Sequence, residues 1–262
     1  MKQTLVDISR TIDARLDTVW DIISTPEGFS KWMGGDVTFA SDVGSPFEGR
    51  FPQFQTVIRG EVLEFDSGAH RIALSWGIET GPQAAYFPAA SSRVELSLTA
   101  EAPGTLIQVR HSALPTAKEA GDHEAGWRFN LSRLSLIANR EDLSATLGPA
   151  MDAWFAAWNE TDSERRAELL ARCCAPDIEF RDEYTEASGR DLLSLHIGNS
   201  QRFRPGWRIE SAGPVVICRG EALCPWRYTG PEGAAVEGTN HVTATPDGTI
   251  SRVTGFPSAL GS

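Results

Sequence analysis

The chain is short of basic charge: 24 Lys and Arg stand against 35 Asp and Glu, for a formal net charge of -11 over 262 residues. Neither half compensates, since residues 1–143 hold 13 basic against 19 acidic groups and residues 144–262 hold 11 against 16. A nucleic-acid binder neutralises phosphates with a basic face, so no nucleic-acid partner is expected. Long apolar runs are missing too. No stretch approaches the roughly 20 residues of a transmembrane helix, and Met1-Lys2-Gln3-Thr4 leads into Leu5-Val6-Asp7-Ile8-Ser9 without a signal-peptide core. The expectation is a cytoplasmic protein with no membrane partner. The four cysteines (Cys173, Cys174, Cys218, Cys224) form no C-x-x-C pair and read as reduced, mostly buried thiols. Five scattered histidines lack ligand spacing, and Gly34-Gly35 lacks the lysine and helix of a phosphate loop, so neither metal nor cofactor is expected.

Hydrophobic residues make up 41%, enough to offset the entropy of ordering most of the chain. At this length the chain holds one large domain or two ordinary ones. Two features favour two. The eight tryptophans split four and four, while all three lysines lie in the first half and all four cysteines in the second. In the first half, alternation over Leu5–Ile12 predicts a strand, and Asp17 is the expected N-cap of a helix through Ile23. Pro26 opens a second helix that Gly34-Gly35 stops. Strands are expected at Val37–Ala40, Phe47–Phe51, Val57–Phe65, Arg71–Trp76, Arg93–Thr99 and Thr105–His111. A long helix over Gly121–Arg140 closes the set, with Trp127, Leu131, Leu134 and Ile137 at helical spacing.

Several of these residues form a pattern: Arg10-Thr11-Ile12-Asp13-Ala14-x-x-Asp17-Thr18-Val19-Trp20, Pro26-Glu27-x-x-x-Lys31-Trp32, Gly60-x-Val62-x-Glu64, Arg71-Ile72-x-Leu74-x-Trp76 and Gly126-Trp127-x-x-x-Leu131-x-x-Leu134. Over residues 3–140 it resembles the SRPBCC or START-like superfamily, within it the activator-of-heat-shock-protein-90-ATPase branch. The resemblance implies a helix-grip fold, an antiparallel sheet wrapped on a long C-terminal helix with an apolar cavity between them. Trp76 and Trp127 are then its expected ligand contacts.

Gly148-Pro149 is the expected break, giving domains at 1–143 and 151–262 with a linker over 144–150. Beyond it, helices are expected over Met151–Asn159, Asp162–Cys174 and Ser188–His196. Strands are expected at Ile178–Phe180, Trp207–Ser211, Pro214–Cys218, Glu221–Tyr228, Ala235–Thr245 and Thr249–Phe256. The motifs Trp154-Phe155-x-x-Trp158-Asn159-x-x-Asp162, Phe180-Arg181-Asp182, Ser188-Gly189-Arg190-Asp191-x-Leu193 and Asp247-Gly248-Thr249-Ile250-x-x-Val253 resemble the nuclear-transport-factor-2-like fold, also called SnoaL-like, over about residues 147–258. That resemblance implies an α+β cone: helices first, then a curved antiparallel sheet. It also implies a homodimer through the outer face of that sheet.

In the isomerase branch of that family a carboxylate at the Asp182 position shuttles a proton. Trp154 stands where the family has a tyrosine, and Asn240 where it has a protonated aspartate. Both can donate hydrogen bonds, but as weaker acids, so steroid isomerisation is not implied. The plain alternative for Asp182 is a turn residue bonding to backbone. Trp154 and Trp158, four apart on a helix, line a core or a cavity. Asn240 and His241 are neighbours on a strand and point to opposite faces, so only one can face a cavity; His241 there would pair with Asp182. The run Arg202-Phe203-Arg204-Pro205-Gly206-Trp207-Arg208 interleaves basic and aromatic residues, yet a loop leading into a strand explains it. Three readings stay open. The first is binding of a small hydrophobic or aromatic molecule in one or both cavities. The second is a cofactor-independent acid–base enzyme of isomerase, cyclase or dehydratase type using Asp182. The third is a protein-interaction or cochaperone-like role of the first domain.

Overall fold

The computed structural model describes residues 4–258. Backbone contacts divide the chain between Ala138 and Asn139 into two units, each with its own core. In the first unit, β1 (Val6–Ile12) is followed by α1 (Leu16–Ser24) and α2 (Pro26–Met33). Asp17 lies inside the first turn of α1 rather than capping it, because Arg15 occupies the N-cap. Thr25 caps α2 through the Gly28 amide, and Gly34 ends it in the left-handed conformation, a position suited to glycine.

Seven further strands follow: β2 (Asp36–Thr38), β3 (Pro46–Phe51), β4 (Thr56–Asp66), β5 (Arg71–Trp76), β6 (Ile78–Thr80), β7 (Ser92–Glu101) and β8 (Gly104–Ser112). They form an eight-stranded sheet of order β1-β8-β7-β5-β4-β3-β2, with β6 on β4, and every pairing is antiparallel. The strand β6 is too short for its alternation to be read from sequence. On one face the sheet buries Val94, Leu96, Val109 and Trp76 with Trp127, Leu131 and Leu134 of the helix that follows.

That helix, α3, runs from Ala117 to Asn159. The expected linker over 144–150 and the break at Gly148-Pro149 are therefore absent. A proline inside a helix costs about 3 kcal/mol. Against that, Leu143, Leu147, Met151 and Trp154 are buried at helical spacing, and each such side chain returns about 1.5–3 kcal/mol. Burial wins. Residues 117–138 of α3 belong to the first core and residues 139–159 to the second.

The second unit continues with α4 (Ser163–Cys173), β9 (Cys174–Arg181), β10 (Glu186–Ser188) and α5 (Arg190–Phe203). The strand β9 starts directly at Cys174, so Ala175-Pro176-Asp177 is strand rather than a helix end. Then come β11 (Arg208–Ser211), β12 (Val216–Cys218), β13 (Glu221–Thr229), β14 (Ala235–Ala244) and β15 (Ile250–Pro257). The sheet order is β10-β9-β15-β14-β13-β11, with β12 on β13. All pairs are antiparallel except β15 with β9, so the sheet is mixed rather than purely antiparallel. The helices precede most of the sheet, as expected for the α+β cone.

Two polar motifs fix this unit. Asn159 donates to the Ile209 carbonyl at 2.7 Å and accepts from its amide at 2.9 Å, tying the end of α3 to β11. Asp162 caps α4 by accepting from the amides of Glu164 and Arg165. Among the described residues, no helix is long and apolar enough to cross a membrane.

Candidate functional site

The second unit encloses a cavity of about 480 Å³, within the size range of small-molecule sites. Sheet register builds its floor. Asn240 on β14 pairs with Gly255 on β15, and Thr254 pairs with Arg181 on β9, so Asp182, Gly255 and Asn240 form a row across three strands. Gly255 leaves this row open. A Cβ at that position would meet Asn240 Oδ1 at 3.3 Å and the Asp182 Cβ at 3.7 Å, filling the space between the two polar groups. The wall is aromatic. Trp154 and Trp158 stand one turn apart on α3, and both pack against Phe180. Trp226 and Tyr228 contribute from β13.

Asp182 sits at this wall beside His196 of α5, whose Nε2 lies 3.3 Å from Asp182 Oδ2. The imidazole is packed between Trp158 and Phe180, with ring centroids at 5.8 and 5.4 Å. Gln201, one helical turn further on, donates to the carbonyls of Trp158 and Glu160 and so fixes α5 against α3. Asp182 also makes the turn expected as its plain alternative: Oδ1 accepts from the amides of Tyr184 and Thr185. Burial pushes the Asp182 carboxyl up. The hydrogen bonds from His196 and the two amides outweigh burial and hold it below the ordinary carboxylate value. Asp182 is therefore ionised at neutral pH. Among the described residues, His196 Nδ1 makes no hydrogen bond to protein.

The buried indole nitrogens of Trp154, Trp158 and Trp226 have no hydrogen-bond partner. A buried donor left unmade costs about 1–3 kcal/mol, and here three such donors belong to residues lining one cavity.

His241 is a correction. It points to the other face of β14, 41% exposed, with Nε2 2.9 Å from Glu221 Oε2. It does not line the cavity and cannot serve Asp182; strand alternation sends it away while burying its neighbour Asn240. The partner of Asp182 is His196. The signal for it was local: His196 follows buried Leu193 by three residues and precedes buried Ile197, placing it on the inner stripe of α5.

Trp76 and Trp127 line a separate pocket of about 600 Å³ in the first unit. Behind this lining, a chain of hydrogen bonds runs from Trp127 to the backbone. Trp127 Nε1 donates to His111 Nδ1 at 3.2 Å, which makes Nε2 the protonated nitrogen. Nε2–H then donates to Ser92 Oγ at 2.8 Å, and the Ser92 hydroxyl donates to the Trp76 carbonyl at 2.8 Å. Because His111 presents a proton to Ser92, it cannot act as base for that hydroxyl. Burial, then repulsion from His123, pushes the His111 imidazole down to about 3. Beside it, Tyr86 donates to Glu119 Oε1, and His123 Nδ1 donates to the Glu119 carbonyl.

All four cysteines are free; Cys173 and Cys174 are buried with their sulfurs 3.6 Å apart. Burial pushes the Cys224 thiol up to about 12. Among the described residues, no group of three or more His, Cys, Asp or Glu side chains is placed to hold a metal ion.

The two units thus define a fusion of two cavity-forming α+β domains. Residues 13–138 match the family model described as Activator of Hsp90 ATPase homolog 1-like protein. That match covers most of the first unit, and the second unit has the order of helices followed by sheet that its resemblance to the nuclear-transport-factor-2-like fold implies. Among solved structures, the chain is similar to a SnoaL-like family protein from Agrobacterium tumefaciens, at 28% identity over 42% of this chain and 95% of that one, with a TM-score of 0.40. It is similar to CalU16 from Micromonospora echinospora, at 24% identity over 50% and 73% of the two chains and a TM-score of 0.39. The Aha1 dimer from Colwellia psychrerythraea is similar at 17% identity, 50% and 92% coverage and a TM-score of 0.42. No curated protein matches the chain.

Proposed function

We propose that the second unit binds a small, flat, largely apolar molecule. One observation carries this reading: a single cavity of about 480 Å³ is lined by Trp154, Trp158, Phe180, Trp226 and Tyr228, with Asp182, His196 and Asn240 among them. The rings offer apolar contact, and the few polar groups would orient what binds. The four free thiols fit residence in a reducing compartment such as the cytoplasm. Native mass spectrometry of the full chain purified from its own host tests the proposal. A bound small molecule that is lost in the Trp158→Ala variant is expected. Protein mass alone, together with no quenching by aromatic probes, would contradict it.

A second reading, acid–base catalysis in the same cavity, is favoured by the Asp182–His196 pair. An ionised carboxylate is a weak base, so the proton-accepting role passes from Asp182 to His196 Nδ1. Asp182 then orients the ring and stabilises the imidazolium. The expected signature is that Asp182→Asn and His196→Ala both keep binding but abolish turnover of the bound compound. Undiminished turnover in either variant would remove this reading.

A further inference from the structure

The run Arg202-Phe203-Arg204-Pro205-Gly206-Trp207-Arg208 leaves α5 and enters β11, and two of its residues, Phe203 and Arg204, line the cavity. Gly206 turns the chain in the left-handed region, at φ 79°. Trp207 then folds back onto Tyr228, with ring centroids 4.9 Å apart. Gly230 gives it room, since a Cβ there would come within 2.6 Å of the indole. Arg204 lies over this pair, its guanidinium carbon 4.8 Å from the Trp207 ring and 5.9 Å from the Tyr228 ring.

Arg204 lines the cavity and is only partly exposed. Other arginines of the unit are engaged by protein acceptors: Arg227 holds Glu237, Arg252 holds Glu179, and Arg190 donates to the Cys174 carbonyl. Among the described residues, the Arg204 side chain has ring contacts but no carboxylate and no hydrogen-bond acceptor. Nor does it neutralise the acids nearby. Asp182 is held by His196 and two amides, and Glu183 accepts from the Tyr184 hydroxyl. Stacking fixes the plane of the guanidinium and leaves its N–H fork for a ligand. A planar fork matches a carboxylate in bidentate fashion.

Taking the cavity reading above as its basis, we infer that the ligand is an aromatic or polycyclic carboxylate, bound with its anionic end on Arg204 and its rings against Trp158 and Phe180. Ionised Asp182 enforces that direction, because a carboxylate turned the other way would face a like charge. Tyr184 and Phe203, both strongly exposed, flank the entrance and supply apolar surface beside the cation.

The test compares 2-naphthoate with its neutral isostere 2-naphthamide by tryptophan fluorescence, using the full chain. The wild-type protein is expected to bind the carboxylate about tenfold more tightly or better, as befits a charge-assisted hydrogen bond. Arg204→Gln should abolish that preference while leaving the amide affinity within about twofold, and Arg204→Lys should restore part of it. Equal binding of the two probes by the wild type would overturn the inference and leave the cavity reading standing. Weakening of both probes by the same factor in Arg204→Gln would also overturn it, marking Arg204 as a support for the loop. If neither probe quenches the wild type, the cavity reading falls and this inference with it.

Discussion

Both units set tryptophans of one helix against a sheet, yet they treat the polar groups beside those rings in opposite ways. In the first unit Trp127, His111, Ser92 and the Trp76 carbonyl form a chain of donors and acceptors that ends on the backbone. In the second, among the described residues, the Nδ1 of His196 and the guanidinium of Arg204, both on residues lining the cavity, have no hydrogen-bond partner in the protein. A closed chain stabilises the fold and fixes a tautomer, whereas open groups are a cost that a ligand can offset. Unpartnered indole nitrogens do not separate the units, because Trp32 and Trp76 have them as well as Trp154, Trp158 and Trp226. The contrast in the remaining polar groups supports the binding proposed for the second unit and a structural role for the His111 chain of the first.

Acid should separate the two units most strongly. Folded His111 stays neutral down to about 3, while the unfolded imidazole takes its proton near the ordinary value of 6.5. The unfolded chain therefore binds more protons in between. The His111 contribution is complete above pH 6.5 and is lost as pH falls from there toward 3, on the order of a few kcal/mol. The lowered Asp182 carboxyl acts in a different window, its contribution being complete above 3.8 and lost only below it. Urea unfolding at pH 7, 5.5 and 4 should show a first-unit transition that weakens steadily and a second-unit transition held by comparison. In His111→Leu that slope between pH 6.5 and 4 should vanish; a slope that persists would place its origin elsewhere.

A matched pair of substitutions sharpens the contrast. Trp127→Phe removes a donor that His111 uses, so it should cost about 1–3 kcal/mol of stability beyond the lost ring volume. Trp158→Phe removes a donor with no partner. It should cost less stability but weaken an aromatic probe about fivefold, through the ring surface that the smaller side chain no longer offers. Denaturation midpoints and probe affinities measured on both variants check the crossover. The smallest effect is expected for His241→Ala. Its pairing with Glu221 is exposed, so stability should change by about 0.5 kcal/mol or less and probe affinity should not change.

How far the sequence carried depends on the range of the interactions concerned. Strands with clear alternation, such as Arg71–Trp76, and the helix opened by Pro26 are local features and were legible. So was the placing of Asn240 and His241 on opposite faces, which needs only the period of a strand. The continuity of α3 through Gly148-Pro149 was not, because local punctuation opposed it and burial of Leu143, Leu147 and Met151 decided it. The site was half legible. Motif order singled out Asp182, Asn240, Trp154 and Trp158, which line one cavity. His196 was passed over because its pairing joins the end of β9 to the middle of α5, and no spacing rule encodes that. Arg204 has no local signature beyond a loop, because its setting depends on Trp207 reaching Tyr228 on a strand more than 20 residues away in sequence.

Indole N–H resonances measure the central claim directly. Each tryptophan gives its own 15N–1H signal, and an aromatic ring seated beside an indole shifts that signal through its ring current. On titration with 2-naphthoate, the Trp154, Trp158 and Trp226 indole signals are predicted to shift together while those of Trp32, Trp76 and Trp127 stay in place. Shifts confined to Trp76 and Trp127, or none among the second unit's indoles, would contradict the account.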